Sequence, residues 1–495
     1  MSLRHAGGRT TYVTSTWLFL RLLGAVYLFA FWSLAQQVRG LVGEHGILPA
    51  GDYMAALVRW ADASGMGIGR YWIAPTLCWI GTGDSFLVAQ AVAGICLAVL
   101  LMLGLASPLV LPLLWLLYLS LAVVAGDFLA YQWDALLLES GLLAVVLAPP
   151  LWRHRLQDGY DPPPLARWLI WWLVFRLMFG SGWVKLASGD PTWRDLSAMV
   201  FHYETQPLPT PLAWYVFQLP GWFDRATTAL VLAIELAVPW LVVCGRRPRC
   251  VAAAVLIALQ ASIASTGNYA FFNLLTAALC ATLVDDRSIR RLVDTGAAAR
   301  AGASVWYRWA PRAAAAVIGP VSAAIVAGQL GMGVPASLGS LVGAVEPLRS
   351  VNPYGLFAVM TTTRPEIVVE GSLDGVTWRE YTFRHKPGDV SRRPTWVAPF
   401  QPRLDWQMWF AALSTYEREP WFARFLQALA DGSPAVRALL ARDPFEGRPP
   451  TFVRATLYRY RFTDWTTGRA TGAWWTRERI GPYAPVMPRR MPRAM

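Results

Sequence analysis

Long stretches almost free of charge recur through the first two thirds of this 495-residue chain, and they limit what it can fold into. A helix needs about 20 apolar residues, rising 1.5 Å per residue, to cross the hydrocarbon layer of a bilayer. Candidate spans fall near residues 16–36, 85–105, 107–125, 129–148, 167–185, 227–245, 249–266, 269–284 and 312–330. The chain is 55% hydrophobic and 15% charged, with a mean hydropathy of +0.37. These values predict a polytopic α-helical membrane bundle of about nine spans rather than a string of soluble domains. Arg4 and Arg9 precede the first run, and no small-residue cleavage site follows closely, so that run reads as an uncleaved first span.

Loop charge sets the expected topology. With the N-terminus inside, the inner loops carry Arg153, Arg155 and Arg167, then Arg246, Arg247 and Arg249. The loop after the eighth run adds Arg287, Arg290, Arg291, Arg300 and Arg308. The outer loops are poorer in Arg, and an odd number of spans then puts residues 186–226 and the C-terminal part outside. The net charge of +13 is accounted for by such loops and by anionic headgroups, with no nucleic acid required. Cys78, Cys96, Cys244, Cys250 and Cys280 show no metal spacing, and none falls in the C-terminal part, which therefore has no disulfide framework. No cofactor or metal site is predicted.

Residues 1–330 form the expected membrane domain, and the Gly-, Ser- and Ala-rich stretch 331–348 reads as a linker. Beyond it, 366–370 and 376–383 read as strands around Asp374-Gly375, 405–413 and 421–440 as helices, and 452–462 as a closing strand. Residues 349–495 are thus expected to be a small α+β domain on the outer membrane face.

Chemistry is concentrated between Arg176 and Pro211. An ionisable residue in a span is costly unless paired, which makes Asp134, Glu139, Arg176, Lys185 and Glu235 the leading candidates. Counting helical rise puts Glu139, Glu235 and Arg176 roughly 12–15 Å below the outer boundary and Asp134 about 7–8 Å below it. The expected arrangement is a buried network with Arg176 between Glu139 and Glu235, and Lys185 near Asp134. Ion pairs that merely hold the bundle together would explain the same residues. Lys185, at an apolar boundary, could instead lose its proton and serve as a base. Asp190-Pro191 turns the chain, and Thr192 with Asp195 suggests a capping box for a helix lying in the interface with Trp193. Arg194 lies in that helix, and His202 and Glu204 follow its end.

At these residues the sequence resembles the lipase maturation factor family. The resemblance rests on SGWVKLASGDPTWRDLSAMVFHYETQPLPTPLAWY (181–215), GNYAFFNLLT (267–276) and QWDALLLESG (132–141). In the C-terminal part it rests on VNPYGLFAVMTTTRPEIVVEG (351–371), RHKPGDVSRRPTWVAPFQPRLDWQMWFAAL (384–413) and DPFEGRPPTFVRATLYRYRFT (443–463). It implies a multi-pass endoplasmic-reticulum protein in animals that assists folding and assembly of secreted lipases, with the C-terminal domain in the lumen. A bacterial member would sit in the plasma membrane with that domain outside. The partners implied are the bilayer and an exported client protein such as a lipase. Trp378, Trp396, Trp406 and Trp409 are the client-facing candidates. The membrane part is more distantly similar to the vitamin K-dependent γ-carboxylase and its HTTM relatives, through Gly182, Lys185, Leu186 and Trp193. That likeness implies the alternative function, a membrane enzyme with Lys185 as a base on a lipophilic cofactor.

Overall fold

A computed structural model describes residues 10–289, 300–301 and 305–489. Arg4, Arg9, Arg290 and Arg291 lie outside the described residues. Seven helices in the described residues are long and apolar enough to cross a membrane. They are Val13–Val42, Asp84–Leu103, Ser107–Leu129, Pro164–Ala187, Gly221–Val242, Arg246–Thr266 and Val305–Gln329. The two other expected spans are shorter helices, Gln132–Leu147 of 16 residues and Phe272–Ala281 of 10. At 1.5 Å per residue they are roughly 24 and 15 Å long, below the length of a full span. Pro149 and Pro150 follow the first, where proline cannot continue a helix. An irregular Gly267–Phe271 segment, with Ala270 at φ 50°, delays the start of the second.

Much of the 331–348 stretch is helical. Ala336–Val345 is a helix closed by a 3-10 turn at Glu346–Leu348, and none of its residues is buried. Propensity explains this: Ala, Leu and Val outweigh two glycines once Pro335 supplies the entry.

The C-terminal part is α+β. Its four antiparallel strands run in the order Arg379–Glu380, Arg364–Ser372, Phe452–Phe462, Trp475–Pro488. Ile367 faces Leu457 in the central pair. The expected strand 376–383 contracts to two residues, because Asp374 accepts N–H bonds from Val376 and Thr377 and holds the turn open. Pro482, Pro485 and Pro488 hid the last strand from sequence reading, and all three lie on a strand at the sheet edge, where proline is tolerated. The expected helix 421–440 ends at Ala430, since Gly432 turns left-handed at φ 77°, and resumes briefly at Pro434–Arg437.

Bundle and C-terminal domain share one core. A continuous buried cluster runs from Tyr12 and Phe19 through Tyr118 and Trp133 to Trp406, Phe425, Val453 and Ala484. The C-terminal domain is therefore docked by apolar burial, not tethered through a free linker.

Candidate functional site

Two glycines of the Gly180-Ser181-Gly182 turn of helix decide how closely the membrane helices approach. A Cβ on Gly180 would lie 2.8 Å from the Tyr354 carbonyl oxygen, and one on Gly182 would lie 2.9 Å from Glu235 Cβ. Both are too close for real contacts, so only glycine permits the two ion pairs beside them.

The first pair joins Arg176 to Glu139, both buried. The other oxygen of Glu139 accepts from the Tyr354 hydroxyl at 2.7 Å and from the Asn352 N–H at 3.2 Å. Arg176 donates in turn to the Asn352 carbonyl at 3.1 Å. The chain just after the short helix thus plugs into the bundle at Glu139. Burial, reinforced by the neighbouring Glu139 carboxylate, pushes the Tyr354 phenol well above its usual range and keeps it a donor.

The second pair is Lys185 with Glu235, 2.7 Å apart. Lys185 Nζ also donates to the Ser181 carbonyl at 3.1 Å and lies 5.3 Å from the Trp193 ring centroid. This corrects the expected arrangement, in which Lys185 approaches Asp134 and Arg176 bridges to Glu235. The helix expected as the sixth span begins at Gly221, six residues before the expected 227. It lies against Pro164–Ala187 at Gly182, where the missing Cβ lets Glu235 come level with Lys185 in the last turn of that helix.

Asp134 belongs to a third pair, with Arg403 of the C-terminal domain. The guanidinium reaches both carboxylate oxygens at 3.0 and 3.1 Å and donates to the Phe128 carbonyl at 2.6 Å. Tyr118 donates its hydroxyl to the same carboxylate. Arg403 and Asp134 are 0% and 1% exposed, so this is a bidentate pair fully out of water.

The loop beyond Lys185 is held by the same domain. Asp190, not Thr192, caps the short helix Pro191–Arg194, accepting from the Thr192 N–H at 2.8 Å, while its second oxygen accepts from the Met360 N–H at 2.6 Å. Burial raises the Asp190 carboxyl, but these bonds outweigh it and leave it below the usual range. Trp193 does not lie in the interface: it is 3% exposed and donates to the Phe357 carbonyl at 3.0 Å. Arg194 and Asp195 are exposed, and Asp195 accepts from the Ser197 N–H. Leu196, at φ 63°, breaks the expected continuous helix there.

His202 and Glu204 lie in the helix Ala198–Thr205 rather than beyond it. Burial, and then the charge of Lys185, push the His202 imidazole down to about 4, so it is neutral at physiological pH. Its Nε2 lies 3.4 Å from the Tyr269 hydroxyl. Glu204 is pushed up by burial, partly offset by the Phe462 N–H that donates to it at 2.8 Å. The loop exit is clasped by Arg364, which donates to the carbonyls of Glu204 and Pro207 at 2.7 and 2.8 Å and pairs with Glu366. Glu366 also receives Lys386 at 2.9 Å.

Between these contacts lies a cavity of about 610 Å³, walled by Tyr131, Trp133, Tyr269, Phe357, Trp406 and Phe410 among others. Lys185 is not among its lining residues.

Both halves of this junction match known family models. The lipase maturation factor transmembrane domain matches residues 14–291, and the lipase maturation factor C-terminal domain matches residues 350–485. The chain belongs to the lipase maturation factor family. It is 36% identical over 592 residues to "Lipase maturation factor 2" of Xenopus laevis, covering 95% of this chain and 82% of the relative. Against "Lipase maturation factor 1" of Bos taurus the identity is 35% over 505 residues, covering 95% and 88%. "Lipase maturation factor 2" of Homo sapiens is 36% identical over 590 residues, covering 94% and 82%. No solved structure matches the chain.

Family membership and the apolar helices make this a multi-pass membrane protein. The four expected client-facing tryptophans of this family member do not form one surface. Trp396 is 59% exposed, and Trp378 is half-buried with Arg454 4.0 Å from its ring centroid. Trp406 and Trp409 are buried, because the helix Arg403–Ala412 docks on the bundle: Trp406 meets Trp133 at 4.6 Å between ring centroids, and Trp409 donates to the Thr205 carbonyl at 2.9 Å. Sequence reading missed Arg403, Asn352, Tyr354 and Met360. Only Arg403 left a signal, a lone cation entering the aromatic run Leu404–Phe410.

Proposed function

We propose that this chain is a membrane-embedded maturation factor for exported proteins, with lipases as the client class. The observation that carries this is identity of about 35% to lipase maturation factors across both the membrane part and the C-terminal part. The rigid junction supports it, because a domain fixed by Arg403–Asp134 and Arg364 at the loop exit presents its free surface at a constant height above the bilayer. In this reading residues 349–495 hold a partly folded client through exposed groups such as Trp396, and the 186–215 loop transmits the position of the bundle. The short helices Gln132–Leu147 and Phe272–Ala281 complete nine passes, with the N-terminus inside and the C-terminal domain outside the plasma membrane of a bacterial cell. The test is complementation: the chain is expressed in cells lacking their own maturation factor, and secreted lipase activity per amount of lipase is measured. Recovery is expected; no gain at normal protein level and correct membrane insertion overturns the reading.

One observation favours the second reading, a membrane enzyme with Lys185 as base. Tyr269 lines the cavity and its hydroxyl reaches His202, whose imidazole feels the charge of Lys185. Lys185→Arg separates the two, since arginine keeps the charge but does not give up its proton. Enzyme chemistry requires lost function at unchanged protein level, whereas the maturation reading does not.

A further inference from the structure

The cavity at the junction is built for an occupant. At about 610 Å³ it falls in the size range of small-molecule sites, and no charged residue lines it. It sits where the helix Ser107–Leu129 ends and Gln132–Leu147 begins, at the membrane boundary facing the C-terminal domain. Its exposed lining residues are apolar: Val359, Phe410 and Leu413 are 68%, 40% and 42% exposed. A mouth meant for a water-borne partner would carry a polar rim. An apolar mouth at the ends of membrane helices suits hydrocarbon entering sideways.

The polar groups of the wall narrow the chemistry. Tyr131 donates to Gln407 at 2.8 Å, Tyr269 to Gln206 at 2.9 Å and Trp409 to the Thr205 carbonyl at 2.9 Å. Trp133 and Trp406 are different: they are 2% and 3% exposed, and among the described residues neither indole N–H has a partner. Both nitrogens are closed off by the packing around them, so the cavity meets the apolar part of the rings. With no charged residue in the wall, a charged headgroup would be buried unpaired, so it stays outside the mouth. What fits inside is a hydrocarbon chain.

We infer that this cavity binds one acyl chain of a glycerolipid from the surrounding bilayer, its headgroup staying at the mouth beside Val359. The inference does not depend on the identity of the client.

The experiment uses the full-length protein in phosphatidylcholine vesicles containing a phosphatidylcholine with a diazirine midway along one acyl chain. After irradiation, labelled peptides are mapped by mass spectrometry. Labelling within 355–361 and 406–413 is expected several-fold above that on the lipid-facing helix Arg246–Thr266. Val359→Trp, which fills the mouth, should reduce it at least fivefold while the protein stays monodisperse with an unchanged melting temperature. Labelling no higher than on Arg246–Thr266, or unchanged by both Val359→Trp and Leu413→Trp, overturns the inference. If a photoreactive apolar peptide labels these residues and the lipid does not, the cavity is a client site and the inference falls.

Discussion

Arg403 of the C-terminal domain grips Asp134 of the bundle through two parallel hydrogen bonds, at 3.0 and 3.1 Å, with neither side chain touching water. Removing one partner of such a pair leaves an uncompensated buried charge, at a cost of about 3–5 kcal/mol. Arg403→Leu and Asp134→Leu are each expected to lower the amount of folded protein extracted from membranes and its melting temperature. The double variant should be far less damaged than the sum of the two. Additive losses in a double-mutant cycle would mean that the two groups do not act as a pair.

Close packing at Gly180 and Gly182 makes a second prediction. Gly180→Ala and Gly182→Ala each place a methyl group under 3 Å from its neighbour and should cost about 1–3 kcal/mol by overpacking. Gly339→Ala is the control: nothing lies within 4 Å of its Cβ position, and it sits in the helix Ala336–Val345. That change should be neutral or stabilising. Thermal melts in detergent compare the three, and equal effects would contradict the packing at Gly180 and Gly182.

His202 predicts a pH dependence. Its imidazole resists protonation until about pH 4 in the folded protein, whereas an unperturbed histidine takes its proton near 6.5. Between those values the unfolded chain binds more protons, so stability falls as pH drops through this window and is fully present above it. His202→Gln should flatten that part of the melting-temperature profile between pH 7 and 4.5. Lys185, whose charge helps hold the imidazole neutral, must be intact in both proteins for the comparison to hold. Profiles of the same steepness in this window would refute the assignment.

Lys185 and Glu235 respond in their own way. Lys185→Met strands the Glu235 carboxylate and should reduce protein level, while Lys185→Met with Glu235→Leu should restore it. If the restored double variant still matures lipase in the complementation assay, Lys185 serves packing. Loss of activity at full protein level would assign it chemistry.

Individual residues explain how much of this was legible in the sequence. Asp134, Glu139, Arg176, Lys185 and Glu235 stood out because charge is expensive inside apolar runs, and all five are buried. Some of their partners were hidden, for two physical reasons. Glu235 meets Lys185 because Gly182 lets its helix and Pro164–Ala187 approach closely there, a contact between elements that no local pattern announces. Asp134 and Glu139 bind Arg403 and Tyr354, which lie 269 and 215 residues away in sequence. No helical depth count contains such contacts. Trp406 and Trp409 were expected to face a client, and the docking of their helix on the bundle turned both inward.

The separation of Asp134 from Arg403 also has a meaning in time. The bundle is made first, and its carboxylate waits 269 residues for its partner. At about 5–20 residues per second that is roughly 15–50 s of synthesis. During this interval the carboxylate has the Tyr118 hydroxyl on its own side of the junction but no guanidinium. The last step that satisfies this buried group therefore comes from the far end of the chain, and a product ending before Arg403 lacks the residue that pairs with it.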